Sequence, residues 1–256
     1  MLRLRDDQWA RIRDPGPEEP IPDRRPGRTP VPARTGLEAV LWILNTGAQW
    51  HLLPPWYPHD KTVPRRFQQW GEREVLREIL TQRATTLREE GASDERERVI
   101  EATLAAVNGG GDGIGPTRRG NGGKILAIVD RHGLPLSVST HAANHHEVTL
   151  GPLSVDFYML EGKPEPRIGD RADDSDGLDN DRKQDGVNLI APPRAPRTLN
   201  TQDGRPLRRD QRRWLVERFL AWLQGKRRWL VRGEYDASHF LGFVQLASIT
   251  MLLKQF

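Results

Sequence analysis

A chain of 256 residues without cysteine forms no disulfides and no thiolate metal sites, which leaves oxygen and imidazole ligands for any metal it binds. No stretch approaches the roughly 20 apolar residues of a membrane span, and no apolar run follows the charged start, so a cytoplasmic location is expected. The formal charge of +4 conceals a local excess: Arg205, Arg208, Arg209, Arg212, Arg213, Arg218, Lys226, Arg227, Arg228 and Arg232 are opposed in their stretch only by Asp210 and Glu217, a balance that favours polyanionic partners.

In chain order, Asp6 or Asp7 is expected to cap a short helix through Trp9 and Ile12. Pro15, Pro17, Pro20, Pro22, Pro26, Pro30 and Pro32 then forbid regular structure. With Arg24, Arg25, Arg28 and Arg34 they make residues 15–34 either a solvated linker or a basic arm. From Thr35, the residues Leu37, Val40, Leu41, Ile43 and Leu44 recur at helical spacing up to Gly47. Residues 62–70 predict a second helix, with Pro64 tolerated in its first turn, and 72–89 a third. A bend containing Trp50, Pro54, Pro55 and Trp56 joins the first two. Two readings stay open there: a helix-turn-helix with Arg65, Arg66, Gln68 and Gln69 facing a groove, or a helical bundle whose arginines are solvated.

Composition changes after Ala92. Residues 99–107, 124–130 and 134–140 are short, apolar and β-rich, as strands are. The glycine-rich stretch 109–123 is not a nucleotide-binding P-loop, because Gly123-Lys124 is followed by Ile125 and Arg118 stands where the leading glycine belongs. A mobile basic hairpin loop carrying Arg118, Arg119 and Lys124 is expected instead. His145-His146-Glu147 reads as a helix start, since adjacent helical residues point in different directions. Residues 167–170 resemble a strand ending in Asp170, and a helix over 175–184 and a strand over 187–191 follow. The basic segment 192–209 leads into a helix in which Leu215, Val216, Phe219, Trp222 and Leu223 face inward while Arg213, Glu217 and Gln224 share another face. Glu217 there is either half of a surface ion pair with Arg213 or a metal ligand beside a polyanion. A last helix, 237–254, reads as core.

This order of strands and helices, with acids at Glu101, Asp170 and Glu217, predicts an α/β protein with an RNase H-like mixed sheet flanked by helices, preceded by a small all-α helix-turn-helix-like domain. The chain resembles the DDE-type transposases of bacterial insertion sequences in Thr46-Gly47-Ala48-Gln49-Trp50 with Leu53-Pro54, in Arg66-Phe67-Gln68-Gln69-Trp70 and in Gly111-Asp112-Gly113-Ile114-Gly115. The resemblance continues in Ile168-Gly169-Asp170-Arg171-Ala172, in the stretch from Thr201 to Arg209, in Arg213-Trp214 with Val216-Glu217-Arg218, and in Phe240-Leu241-Gly242-Phe243. It implies a helical DNA-binding domain over residues 1–92 and an RNase H-like catalytic domain over 93–256. It also implies cleavage and strand transfer at the element's terminal inverted repeats, with Mg²⁺ or Mn²⁺ held by Glu101, Asp170 and Glu217. The implied partners are double-stranded DNA, both the repeats and the target, and a second copy of the chain when two ends are synapsed. Candidate DNA contacts are Arg65, Arg66, Gln69, Arg118, Arg119, Lys124, Arg208, Arg209, Arg213 and Arg218.

Three positions depart from the family pattern. Glu101 stands where the family has aspartate, Asp173 where it usually has tyrosine, and Val107-Asn108 where it has a basic residue. Glutamate keeps the charge of the first acid but moves the carboxylate outward by about 1.5 Å, one carbon–carbon bond. Mg²⁺ holds its ligands near 2.0–2.1 Å. The alternative reading is therefore a catalytically impaired remnant that only binds DNA.

Overall fold

A computed structural model describes residues 3–14, 31–94, 98–118, 120–145 and 214–254, and the strand backbone at 167–168 and 189–190. The helical periodicities of the amino-terminal third yield α1 (Asp6–Ile12), α2 (Ala33–Thr46), α3 (Thr62–Glu72) and α4 (Val75–Glu89). Asp6 and Asp7 lie in the first turn of α1 and Arg5 is its cap residue, so the two acids stabilise the positive end of the helix dipole instead of capping. Helix α2 begins earlier than expected, and Arg34 belongs to it, donating to Asp6 at 2.7 Å and to the Leu4 carbonyl at 2.5 Å. The helix stops at Gly47, whose φ of 70° is the left-handed cap that glycine adopts without cost.

The sheet starts with β1 (Arg98–Val107), β2 (Gly115–Thr117), β3 (Gly120–Val129) and β4 (Pro135–Ala142), and continues with β5 (Arg167–Ile168) and β6 (Leu189–Ile190). Strand β3 is antiparallel to both β1 and β4, while β5 and β6 run parallel to β1. The lateral order β4-β3-β1-β5-β6, with β3 alone reversed, is the RNase H-like arrangement. The stretch expected as one loop is partly ladder: β2 pairs with the start of β3, from Gly115 opposite Gly122 to Thr117 opposite Gly120. Lys124 consequently lies inside a strand. The helix expected over 175–184 lies outside the described residues.

The carboxy-terminal part contributes α5 (Trp214–Gln224), α6 (Arg227–Leu230), β7 (Val231–Arg232) and α7 (Ala237–Leu252). Neither α6 nor β7 was foreseen, since elements of four and two residues carry no readable periodicity. Strand β7 extends the sheet by pairing in parallel with the end of β1, Ala106 with Val231 and Val107 with Arg232. Helix α7 packs on α3, α4 and β4, so the buried cluster runs without a break from Leu37 of α2 through Val129 of β3 to Leu252. Against it Trp50 meets Phe67 and Phe243, with ring centroids 4.6 Å apart for the two phenylalanines and 5.9 Å for Trp50 and Phe243. Among the described residues no helix is long and apolar enough to cross a membrane.

Candidate functional site

Strand β1 pairs with β3 along residues 99–106, and on its other side with β5 at residues 98–99 and with β7 at residues 106–107. Glu101 lies in the β1–β3 ladder, opposite Ala127 of β3 and half-buried. Helix α5 packs on β1 and β3 with Leu215, Val216, Phe219, Leu220 and Leu223 buried. That burial turns Glu217 outward, and it is exposed. Among the described residues Glu217 has no ion pair. Arg213, its expected partner, and Asp170, the expected second acid, both lie outside them. No three His, Asp or Glu side chains gather in a metal-binding group among the described residues. The two placed acids are nevertheless of the right chemistry, hard oxygen donors on a strand and a helix, which suits Mg²⁺ or Mn²⁺.

The candidate DNA contacts divide sharply. Arg65 and Gln69 are exposed on α3, and Arg118 is exposed at the β2–β3 turn. Arg66 points inward, donating to the Val31 carbonyl with its guanidinium 5.6 Å over the Trp70 ring. Lys124 is buried, and its ammonium donates to the His145 carbonyl at 2.7 Å. Arg218 donates to the His132 carbonyl at 2.8 Å. Arg119, Arg208, Arg209 and Arg213 lie outside the described residues.

The described part of the basic stretch is likewise largely spent inside the fold. Lys226 donates to Asn45 Oδ1 at 2.6 Å, and burial pushes its pKa below the ordinary lysine value. Arg228 pairs with Glu234 at 2.7 Å and donates to the Ala48 carbonyl at 3.1 Å. Arg232, nearly inaccessible, donates to the carbonyls of Asp112 at 2.5 Å, Tyr235 at 3.0 Å and Glu234 at 3.0 Å. These bonds dock the glycine loop that follows β1 on the start of α7. Desolvation outweighs the acids near Arg232 and lowers its pKa. Arg227 is the exposed cation of the described stretch.

One carboxylate was missed as a site residue and read only as a strand end. Asp130, fully buried, accepts from Ser93 Oγ at 3.0 Å and from the backbone N–H groups of Asp94 at 2.9 Å, His132 at 2.8 Å and Leu134 at 2.8 Å. It organises the β3–β4 turn and ties it to the segment after α4. The spacing of Asp130 and Gly133 between two strands was the available signal. Burial raises its carboxyl pKa and the four donors oppose that shift. A raised native pKa means that the native state holds the proton more tightly than the unfolded chain. The stability from this protonation is fully present below the ordinary carboxylate range and is lost as pH rises through the raised value. Asp130→Asn removes the titration and sets an amide against the Asp94 N–H, at a cost of about 1–3 kcal/mol at neutral pH. Denaturant melts of both proteins from pH 7 to pH 4 should show the deficit of the variant widening on acidification. A constant deficit would contradict the raised pKa.

A family model described as "Putative transposase of IS4/5 family (DUF4096)" matches residues 4–80. The uncharacterized protein y4sN of Sinorhizobium fredii is 34% identical over 122 residues, which span 48% of this chain and 88% of that protein. Among solved structures, the chain is similar to the Mos1 strand transfer complex, with 10% identity, 91% of this chain and 81% of that chain covered, and a TM-score of 0.29. It is also similar to the Mos1 transposase paired-end complex with left transposon end, with 11% identity, the same coverage and a TM-score of 0.28. Those two likenesses are too remote to transfer any residue or chemical step. Over residues 4–80 the chain thus carries the transposase region that the IS4/5 family model describes.

Proposed function

We propose that this transposase binds the terminal inverted repeats of its element, cleaves the DNA there and joins the freed 3′-hydroxyl to target DNA. Glu101, Asp170 and Glu217 would hold Mg²⁺ or Mn²⁺. In such sites two ions about 3.5–4 Å apart stabilise the attacking and leaving oxygens of phosphodiester chemistry. The observation that carries the reading is the parallel pairing of Val99 with Ile168. Glu101 follows Val99 by two residues in the sequence, and Asp170 follows Ile168 by two. A β5 strand that continued in register would set the two carboxylates side by side, and the helix that carries Glu217 packs on β1.

The chain's own residues would then act by charge and placement. Glu101 is held in the β1–β3 ladder, and Glu217 is carried on α5, whose apolar face is buried. Of the candidate DNA contacts, Arg65, Gln69 and Arg118 are exposed, and the first two are in keeping with a DNA-binding role for residues 1–92. Synapsis of two ends would call for a homodimer. A second reading, a remnant that binds ends without cutting them, is favoured by one feature, the longer side chain at position 101.

The deciding experiment incubates the purified chain with labelled element ends in Mg²⁺, in Mn²⁺ and with chelator, beside Glu101→Asp. Metal-dependent nicking at the ends by the native chain is the expected result. Binding without nicking, restored at least about tenfold over background by Glu101→Asp, would establish the remnant. Nicking that persists in chelator would overturn the metal assignment.

A further inference from the structure

Arg218 follows the outward-facing Glu217 and is the most elaborately seated side chain on α5. Its guanidinium carbon lies 4.7 Å from the ring centroid of Trp214 and 5.2 Å from that of Trp222, one helical turn to either side. The Nη2 atom donates to the His132 carbonyl at 2.8 Å. That carbonyl belongs to the turn built on Asp130, in which Gly133 donates to the Asp130 carbonyl at 3.0 Å. Gly133 has a φ of +83°, and a Cβ there would stand 2.9 Å from Arg218 Nη2. The turn is thus shaped to leave room for this guanidinium.

We propose that Arg218 is a positioning residue: stacked between Trp214 and Trp222 and bonded to the β3–β4 turn, it fixes the roll of α5 and so the direction in which Glu217 presents its carboxylate. The apolar face of α5 alone resists translation better than roll, because Leu215, Val216, Phe219, Leu220 and Leu223 spread over a broad stripe. A polar bond from the flank of the helix to a rigid turn removes that remaining freedom. The turn belongs to the hairpin whose strand β3 pairs with β1, at Ala127 opposite Glu101. One short path therefore connects the two acids, and a shift of about 1 Å at a metal-binding constellation is costly. Its place in this seat sets Arg218 apart from the phosphate-contacting arginines.

This inference rests on Glu217 being a metal ligand, and the test separates the two. Mn²⁺ is titrated calorimetrically into the full chain and into Glu217→Ala, Arg218→Met, Arg218→Lys and Gly133→Ala. End-DNA affinity is measured in parallel as a function of salt, and each variant is melted. The expected result is Mn²⁺ affinity at least tenfold weaker in Arg218→Met and Gly133→Ala, partial recovery in Arg218→Lys, and DNA affinity within about twofold of native. Should Arg218→Met fail to fold, Gly133→Ala and Arg218→Lys decide by the same criteria. Unchanged Mn²⁺ affinity in Glu217→Ala would sink the functional reading itself. Loss in Glu217→Ala with no change in the Arg218 and Gly133 variants would sink only the positioning role. Weaker DNA binding in the Arg218 variants, with a salt slope reduced by about 0.9, would make Arg218 a phosphate contact instead.

Discussion

Gly111→Ala is expected to cost about 3 kcal/mol or more of stability, whereas Gly110→Ala at the preceding residue should be nearly silent, within about 0.5 kcal/mol. At Gly111 φ is +142°, and an added Cβ would fall inside contact distance of the Tyr235 carbonyl oxygen and 2.9 Å from its carbonyl carbon. The obstacle is backbone, held by the Asp112 N–H at 3.0 Å and by Arg232, so it cannot swing aside. Gly109 separates the two causes, for its φ is +105° and nothing lies within 4 Å of its added Cβ. Gly109→Ala should therefore show conformational strain alone, about 1 kcal/mol. Denaturant melts of the three variants give the comparison. Equal stability of the Gly110 and Gly111 variants would mean that the loop is not seated on Tyr235.

Glu234→Ala should be comparably severe, about 3–5 kcal/mol, because it strands the Arg228 guanidinium in a buried site. The side chains of Arg228 and Glu234 are 12% and 4% exposed, and their 2.7 Å pairing is screened little by water. Replacing both at once, Arg228→Met with Glu234→Leu, removes the charges together and should cost far less than the single change. Chemical denaturation of native, single and double variants checks the asymmetry. If the double variant is as unstable as Glu234→Ala, the pair is essential for its bonds and not merely for mutual neutralisation. Arg228 also donates to the Ala48 carbonyl, so the single variant should loosen the end of α2.

These contacts give a physical reason for the scattered segments on which the family resemblance rests. Trp50, Phe67 and Phe243 come from three of them and form one aromatic knot. Gly242 belongs there because its added Cβ would stand 2.9 Å from the Phe67 ring. Gly111 and Gly115 of a fourth segment are required by close approach, to the Tyr235 backbone and to Asn144 respectively.

The long elements were legible in the residues alone. Periodic apolar spacing located α2, α3, α4, α5 and α7, and short β-rich runs located β1, β3 and β4, because each buries one face or one run against a common core. The strand that carries Glu101 and the helix that carries Glu217 were legible too. What composition misjudged was the destination of positive charge. Arg66, Lys124, Arg218, Lys226, Arg228 and Arg232 all read as a surface for phosphates, yet each is bonded to a carbonyl, an amide oxygen or a buried acid. A local sequence window records how many cations a segment carries and nothing about acceptors up to 181 residues away, the separation of Lys226 from Asn45. Only tertiary structure brings such partners within hydrogen-bonding reach, and there the demand of buried carbonyls for donors, not the net charge of the segment, decides where each guanidinium goes.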